Sequence, residues 1–273
     1  MKTLQDNIIL YDEDCPLCQV YTSGFLKTKM LDKNGRKPFH KISKDEEKFI
    51  DINKASDEIA LVDTKTKKVT YGIDSLLKVL GYSFPWIEKI GQLKPMHYGL
   101  KKLYSFISYN RKVIIPSVLK PRHKLQCIPS FNIKYRILYI LFTVLITTIV
   151  LFNFSKSISF LPQSSMGRET ILAFGQILFQ SFFLINHSKK DRLNYIGNLM
   201  TVSLMGSIIL LPSLIINNYI NISETILMLW FSITVIIMFF EHFRRVNLLK
   251  LPKHLTFTWL VYRLIILPFL INS

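Results

Sequence analysis

Acidic side chains are scarce in this chain. Only 18 Asp and Glu stand against 35 Lys and Arg, which leaves a formal net charge of +17. A surplus of this kind suits nucleic acid or an anionic surface. The lysines are scattered and no recognition motif accompanies them, so no nucleic-acid partner is expected and adhesion to lipid headgroups is. Cysteine is scarcer still: Cys15, Cys18 and Cys127 are the three in the chain. That excludes a disulfide framework and fits a reducing compartment. A structural zinc site needs a full tetrahedral ligand set. No second C-x-x-C exists, and Cys127, His40, His97 and His123 stand at no diagnostic spacing. Zinc is therefore not expected. No cysteine follows Cys127, so the second half has no thiol relay of its own.

Charge of either sign is missing from long stretches of the second half. The chain is 49% hydrophobic, and its mean hydropathy is +0.28. Residues 1–135 are charged and mixed, whereas apolar runs dominate after Arg136. A membrane helix needs about 20 mainly apolar residues. Five segments approach that length: 136–154, 170–186, 194–216, 225–240 and 255–271. The second, fourth and fifth are short. A four-span arrangement results if the last lies along the surface.

The opening "MKTLQDNIIL" lacks the apolar core of a signal peptide, so the N-terminal part is expected to stay where it is made. The loops "SKKDR" and "EHFRRVNLLKLPKH" are basic, while "NNYINISE" and the tail "INS" have no Lys or Arg. Basic loops favour the cytoplasmic side. The expectation is an integral protein of an inner or plasma membrane, with its N-terminal domain cytoplasmic and its C-terminus outside.

In the first 135 residues, Ile8–Tyr11 is an apolar run that ends in acids, as in a strand buried on both faces. Pro16 suits a first helical position. Leu17, Val20, Tyr21, Gly24 and Phe25 form one stripe of a helix running to about Leu31. Pro38–Ser43 reads as a second strand and Glu58–Asp63 as a third. Lys68–Gly72 completes a hairpin. A helix follows with Leu76, Leu77 and Leu80 on one face. Pro85–Ser117 forms one or two amphipathic helices that pack on the domain or on a membrane surface. Strand, helix, strand, hairpin and helix in that order match a thioredoxin-like α/β sandwich. The boundaries are 1–116 for this domain, 117–135 for a linker and 136–273 for an all-α membrane domain.

Between the first strand and its helix lies "YDEDCPLC". Two cysteines one helical turn apart face the same side and can form a disulfide. A helix N-terminus favours the thiolate. Cys15, expected to be the more exposed, attacks; Cys18, sheltered by Tyr21 and Phe25, resolves the mixed disulfide. Asp12, Glu13 and Asp14 oppose the thiolate. Either they point away, or Asp12 or Asp14 takes a thiol proton.

"LYDEDCPLC" resembles the thiol-disulfide oxidoreductase DCC family, named for an Asp-Cys-x-x-Cys motif. Asp14, Cys15 and Cys18 match that motif, and Asp12 matches the acid two residues earlier. The spacing to "EIALVD", "GIDSLLKVLG", Pro85–Trp86 and "YNRKVI" is also similar, over roughly residues 7 to 116. The resemblance implies a thioredoxin-like fold and a redox-active dithiol that needs no other cofactor. Thioredoxin itself carries a cis-proline before its third strand. No proline lies between Pro38 and Pro85 here, and Ser56 or Asp57 takes that place, which argues against ordinary protein-disulfide substrates. The partner is then an unidentified thiol or disulfide, protein or small molecule.

Two alternatives compete. Asp12-x-Asp14 after a buried strand also resembles the haloacid-dehalogenase nucleophile motif, with Asp12 as nucleophile and Asp14 as acid/base. Pro16 replaces the usual Thr or Val, and no supporting motif follows. The other is a non-catalytic membrane protein whose N-terminal domain binds a partner, lipid or metal.

In the membrane half, His187 and His242 fall at span ends, as interface residues rather than haem ligands. Arg263 lies inside an apolar span, where a charge is expensive and points to function. Snorkelling, or pairing with Glu241 or Glu169, would satisfy it. Asn194, Gly197, Asn198, Gly206 and Ser207 suit helix packing.

Overall fold

The computed structural model describes residues 2–117, 125, 129–159, 161–162 and 164–272, with side chains to 268. Cys127, His123 and most of the expected linker lie outside the described residues. The chain divides into two compact units, Met1–Tyr135 and Arg136–Ser273.

The first unit is built on a mixed sheet. Strand β1, Asn7–Tyr11, holds Ile9, Leu10 and Tyr11 in the core. Helix α1, Pro16–Lys27, starts with Pro16 in its first turn. It ends four residues before the expected Leu31. Thr28 caps it by bonding its hydroxyl to the Gly24 carbonyl, and Lys29 takes a positive φ of 57° that breaks the helix. Its buried face is Cys18, Thr22 and Phe25, whereas Val20 is 71% exposed. The expected stripe is therefore corrected by part of a turn.

Strand β2, Arg36–Pro38, pairs parallel with β1. It covers only the start of the expected Pro38–Ser43 strand. Phe39–Lys41 instead forms a 3-10 turn that buries Phe39 under the sheet. Two short helices follow, α2 at Lys44–Glu47 and α3 at Ile52–Asp57. Ser43 and Glu46 make a capping box on α2, a pattern that the sequence carries as Ser-x-x-Glu. Strand β3, Ala60–Asp63, runs antiparallel to β1, and β4, Val69–Tyr71, runs antiparallel to β3. The sheet order is β2-β1-β3-β4.

Gly72 opens α4, Gly72–Ser83, at φ +62°, and a Cβ there would run into the Glu58 carboxylate. Only glycine meets both conditions cheaply. Helices α5, Pro85–Gly91, and α6, Lys94–Ile114, complete the unit. Helix α6 buries Ser108, Asn110, Arg111 and Val113.

The second unit is helical: α7 Ile133–Lys156, α8 Met166–Phe182, α9 Lys189–Asn217, α10 Glu224–Leu248 and α11 His254–Asn272. Helices α7, α9 and α10 are long and apolar enough to cross a membrane. Helix α8 has 17 residues, about 26 Å, short of an average hydrocarbon core. The distribution of polarity is inverted. Thr143, Gln180, Ser207, Ser213, Thr234 and His242 are buried, while Leu145, Ile171, Leu178, Ile208, Leu229 and Phe240 face outward. An outer surface of this kind suits lipid, and buried hydroxyls and amides suit helix contacts inside a bilayer.

Candidate functional site

Cys15 is the N-cap of α1, in extended conformation, and Cys18 lies in the first turn. Both are free thiols. The sequence expectation of an exposed Cys15 is overturned: Cys15 is 0% exposed and Cys18 is 3% exposed. The cause is packing. Both cysteines belong to one core cluster with Leu4, Ile9, Tyr11, Ile59 and Leu61, and Leu17, Tyr21 and Tyr104 pack against that cluster.

Electrostatics separate the two thiols. The Cys15 thiol is pulled down to about 6, foremost because the Cys18 S–H donates to its sulfur. Burial opposes this. The Cys18 backbone N–H adds to the pull without completing a capping hydrogen bond. The Arg111 guanidinium adds a further pull, and Asp12 works weakly against it. Cys18 is pushed far up, by donating to Cys15 and by burial. One proton is thus shared between two sulfurs, the usual behaviour of a coupled pair. Burial also pushes the Tyr21 and Tyr104 phenols well above their ordinary range. Tyr21 remains a neutral donor to Cys18, and the Tyr104 oxygen accepts from the Ile59 amide at 2.7 Å.

The three acids have distinct places. Asp12 is buried; its Oδ1 accepts from the Asp14 amide at 3.0 Å, and its Oδ2 pairs with Lys112 Nζ at 3.0 Å. The Asp12 carbonyl accepts from the Cys15 amide at 3.2 Å. Asp12 thus shapes the turn into α1, with its charge offset by a lysine from α6. Glu13 is exposed and lies 3.6 Å from His40. Asp14 is half-buried.

Ser56 and Asp57 close α3. The Ser56 carbonyl accepts from Arg111 Nη2 at 3.0 Å and the Asp57 carbonyl from Ser108 Oγ at 2.6 Å. The Asp57 carboxylate holds the Ser130 amide at 2.6 Å and its hydroxyl at 2.8 Å. Helix α6 therefore occupies the backbone groups of this turn.

Nothing in the local sequence pattern marks Arg111, Lys112 and Tyr104 as site residues. Adjacent cations within "YNRKVI" are the nearest to a signal: one of them, Arg111, falls on the buried face of α6. Among the remaining zinc candidates, His97 is tied to Asp74 at 2.7 Å.

The helical unit holds a second polar group. His242 is buried rather than placed at an interface, which corrects the expectation from its position in the sequence. Tyr195 donates to Gln180 Oε1 at 2.8 Å, so His242 Nε2–H donates to the Tyr195 oxygen at 3.1 Å. The other ring nitrogen, Nδ1, then accepts from the Thr256 hydroxyl at 3.2 Å. His242 also stacks on Trp259. Arg245 bridges Glu241 and Asn198. Glu241 is thus committed to Arg244 and Arg245, and Glu169 to Arg168 and Ser164. Neither pairs with Arg263, which removes pairing as one of the two expected ways to satisfy it.

No protein-family model, curated protein or solved structure matches the chain.

Proposed function

We propose that the chain is a membrane-anchored thiol-disulfide oxidoreductase of the DCC type, with a thioredoxin-like N-terminal domain. The observation that carries this reading is the Cys15 thiol, pulled down to about 6 beside the proton-bearing Cys18. A β2-β1-β3-β4 sheet with the cysteine pair following β1 supports the fold assignment.

Cys15 thiolate attacks one sulfur of a disulfide R–S–S–R′. A Cys15–S–S–R bond forms and R′S⁻ leaves. Cys15 then no longer accepts from Cys18, so the main cause of the raised Cys18 value disappears. Cys18 gives its proton to an acceptor, for which Asp14 is our candidate because Asp12 is held by Lys112. The Cys18 thiolate attacks Cys15 sulfur, RS⁻ leaves, and Cys15–Cys18 is oxidised by two electrons. Enclosure of both sulfurs, together with the occupied Ser56 and Asp57 carbonyls, favours a small thiol or disulfide over an extended peptide. No cofactor beyond the dithiol is required. The N-terminal domain faces the cytoplasm and the helices anchor it to lipid, with the C-terminus outside; the basic loops support that orientation.

A second reading has one observation in its favour. Complete burial of Cys15 is typical of inert structural cysteines. A non-catalytic binding domain would have that property. Equilibration of the full-length protein with glutathione buffers, followed by trapping of free thiols, separates the two. The oxidoreductase forms a reversible Cys15–Cys18 disulfide with a single two-electron midpoint, and Cys15→Ser abolishes it. Thiols that stay reduced across the whole series would refute catalysis.

A further inference from the structure

The anchor itself contains a site. Arg263 is the one Asp, Glu, Lys or Arg in the sequence of helix α11, nine residues after its first residue, His254. At 1.5 Å per residue this is about 14 Å along the helix, near mid-depth of a bilayer. The site depends on the membrane reading of this unit and is independent of the cysteines. The Arg263 guanidinium lies 4.1 Å from the Trp259 ring centroid, which covers one of its faces. The Arg263 side chain is half-buried; its Nε is buried and has no hydrogen-bond partner among the described residues. A charge so placed is strongly unfavourable unless something compensates it, and both candidate glutamates are engaged elsewhere.

Arg263 lines a cavity of about 40 Å³ formed with Thr147 of α7, Ser203 and Ser207 of α9, and Thr234 of α10. The hydroxyls of Ser207 and Thr234 are spent on carbonyls of their own helices. Thr147 differs. It is 7% exposed, and its Oγ1 is buried without a partner among the described residues. Two unsatisfied groups from different helices, one cationic donor and one hydroxyl, therefore line the same small space. Buried polar groups are otherwise nearly always satisfied.

The chemistry selects the occupant. Arg263 repels cations. Water could bridge the donors but would leave the charge uncompensated. Room for one water takes about 10–15 Å³, so this cavity suits an anion of one to a few atoms and excludes an organic carboxylate such as gluconate. We propose that Arg263 and Thr147 form an intramembrane binding site for a small monovalent anion of halide size.

Chloride-35 NMR on the full-length protein in nanodiscs tests this, with chloride as the probe. Protein-dependent line broadening is expected to saturate, to be displaced by bromide and to be unaffected by gluconate. Arg263→Gln should abolish it. Thr147→Val keeps the shape and the charge, so it should fold; it should weaken halide binding by about tenfold, the worth of one hydrogen bond to a charged group. If Arg263→Gln does not fold, the Thr147→Val comparison decides. A Cys15→Ser/Cys18→Ser protein should bind as the parent does, which keeps this result distinct from failure of the redox reading. The proposal is overturned if broadening is absent from the parent or equal in parent and Thr147→Val. It is also overturned if gluconate competes, or if mass spectrometry finds an acidic lipid held there that halide does not displace.

Discussion

Cys15 and Cys18 differ by a single proton, and the surroundings decide which sulfur keeps it. Cys15 is the acceptor of the Cys18 S–H and lies in the field of Arg111, so its thiolate is favoured despite burial. Thiolate absorbance near 240 nm should rise with a midpoint near pH 6. In Cys18→Ala the main favourable partner is gone, and the midpoint should move up toward the ordinary thiol range near 9. The same shift has a stability consequence. The folded value is below the unfolded one, so the stabilisation by the Cys15 thiolate is complete above about pH 9. It is lost as pH falls from there through about 6. Asp12, the residue most expected to disturb the thiolate, contributes little because Lys112 of α6 offsets its charge.

At the scale of elements, α6 does more than pack. It supplies Arg111 to the thiols, Lys112 to Asp12, Ser108 to Asp57 and Tyr104 to the Ile59 amide. The sequence marks α6 as amphipathic, but which of its polar residues turn inward depends on its rotation against the sheet. In the helical unit, α9 and α10 approach closely at Gly206. A Cβ there would collide with the Met238 sulfur. Gly206→Val should therefore destabilise the α9–α10 pair by about 1–3 kcal/mol, the usual cost of overpacking. Faster hydrogen exchange of α9 and α10 amides around residues 206 and 238, with the first unit unchanged, is the expected measurement. The small-residue reading of Gly206 and Ser207 anticipated this contact. It did not anticipate Met238, because sequence carries no information on which helix lies opposite.

For the whole molecule, the apolar exterior of the helical unit and its buried hydroxyls define what kind of solvent surrounds it. Among the described residues three helices are long and apolar enough to cross a bilayer; α8 and α11 are shorter. We propose that all five cross, the short ones through tilt of their neighbours or local thinning. A reporter fused after Ser273 then reads outside, and a tag before β1 reads cytoplasmic. Both reporters on the cytoplasmic side would leave an even number of spans and remove either α8 or α11 from the bilayer.

The boundary of character at residue 136, the five apolar helices and the strand that carries the cysteines into α1 were legible in the amino-acid pattern alone. These come from local periodicity, from turn chemistry and from the fixed geometry of a helix start at Pro16. The same pattern also placed Arg263 at mid-helix, since that needs only counting. It took the folded arrangement to reveal that Cys15 is enclosed, that it lies in the field of Arg111, that Lys112 offsets Asp12, and that Glu241 and Glu169 are engaged away from Arg263. The reason is physical. Burial, charge pairing and cavities arise between residues far apart in the chain, such as Asp12 and Lys112 or Thr147 and Arg263. Their meeting depends on the rotation and register of whole elements, which no local pattern encodes.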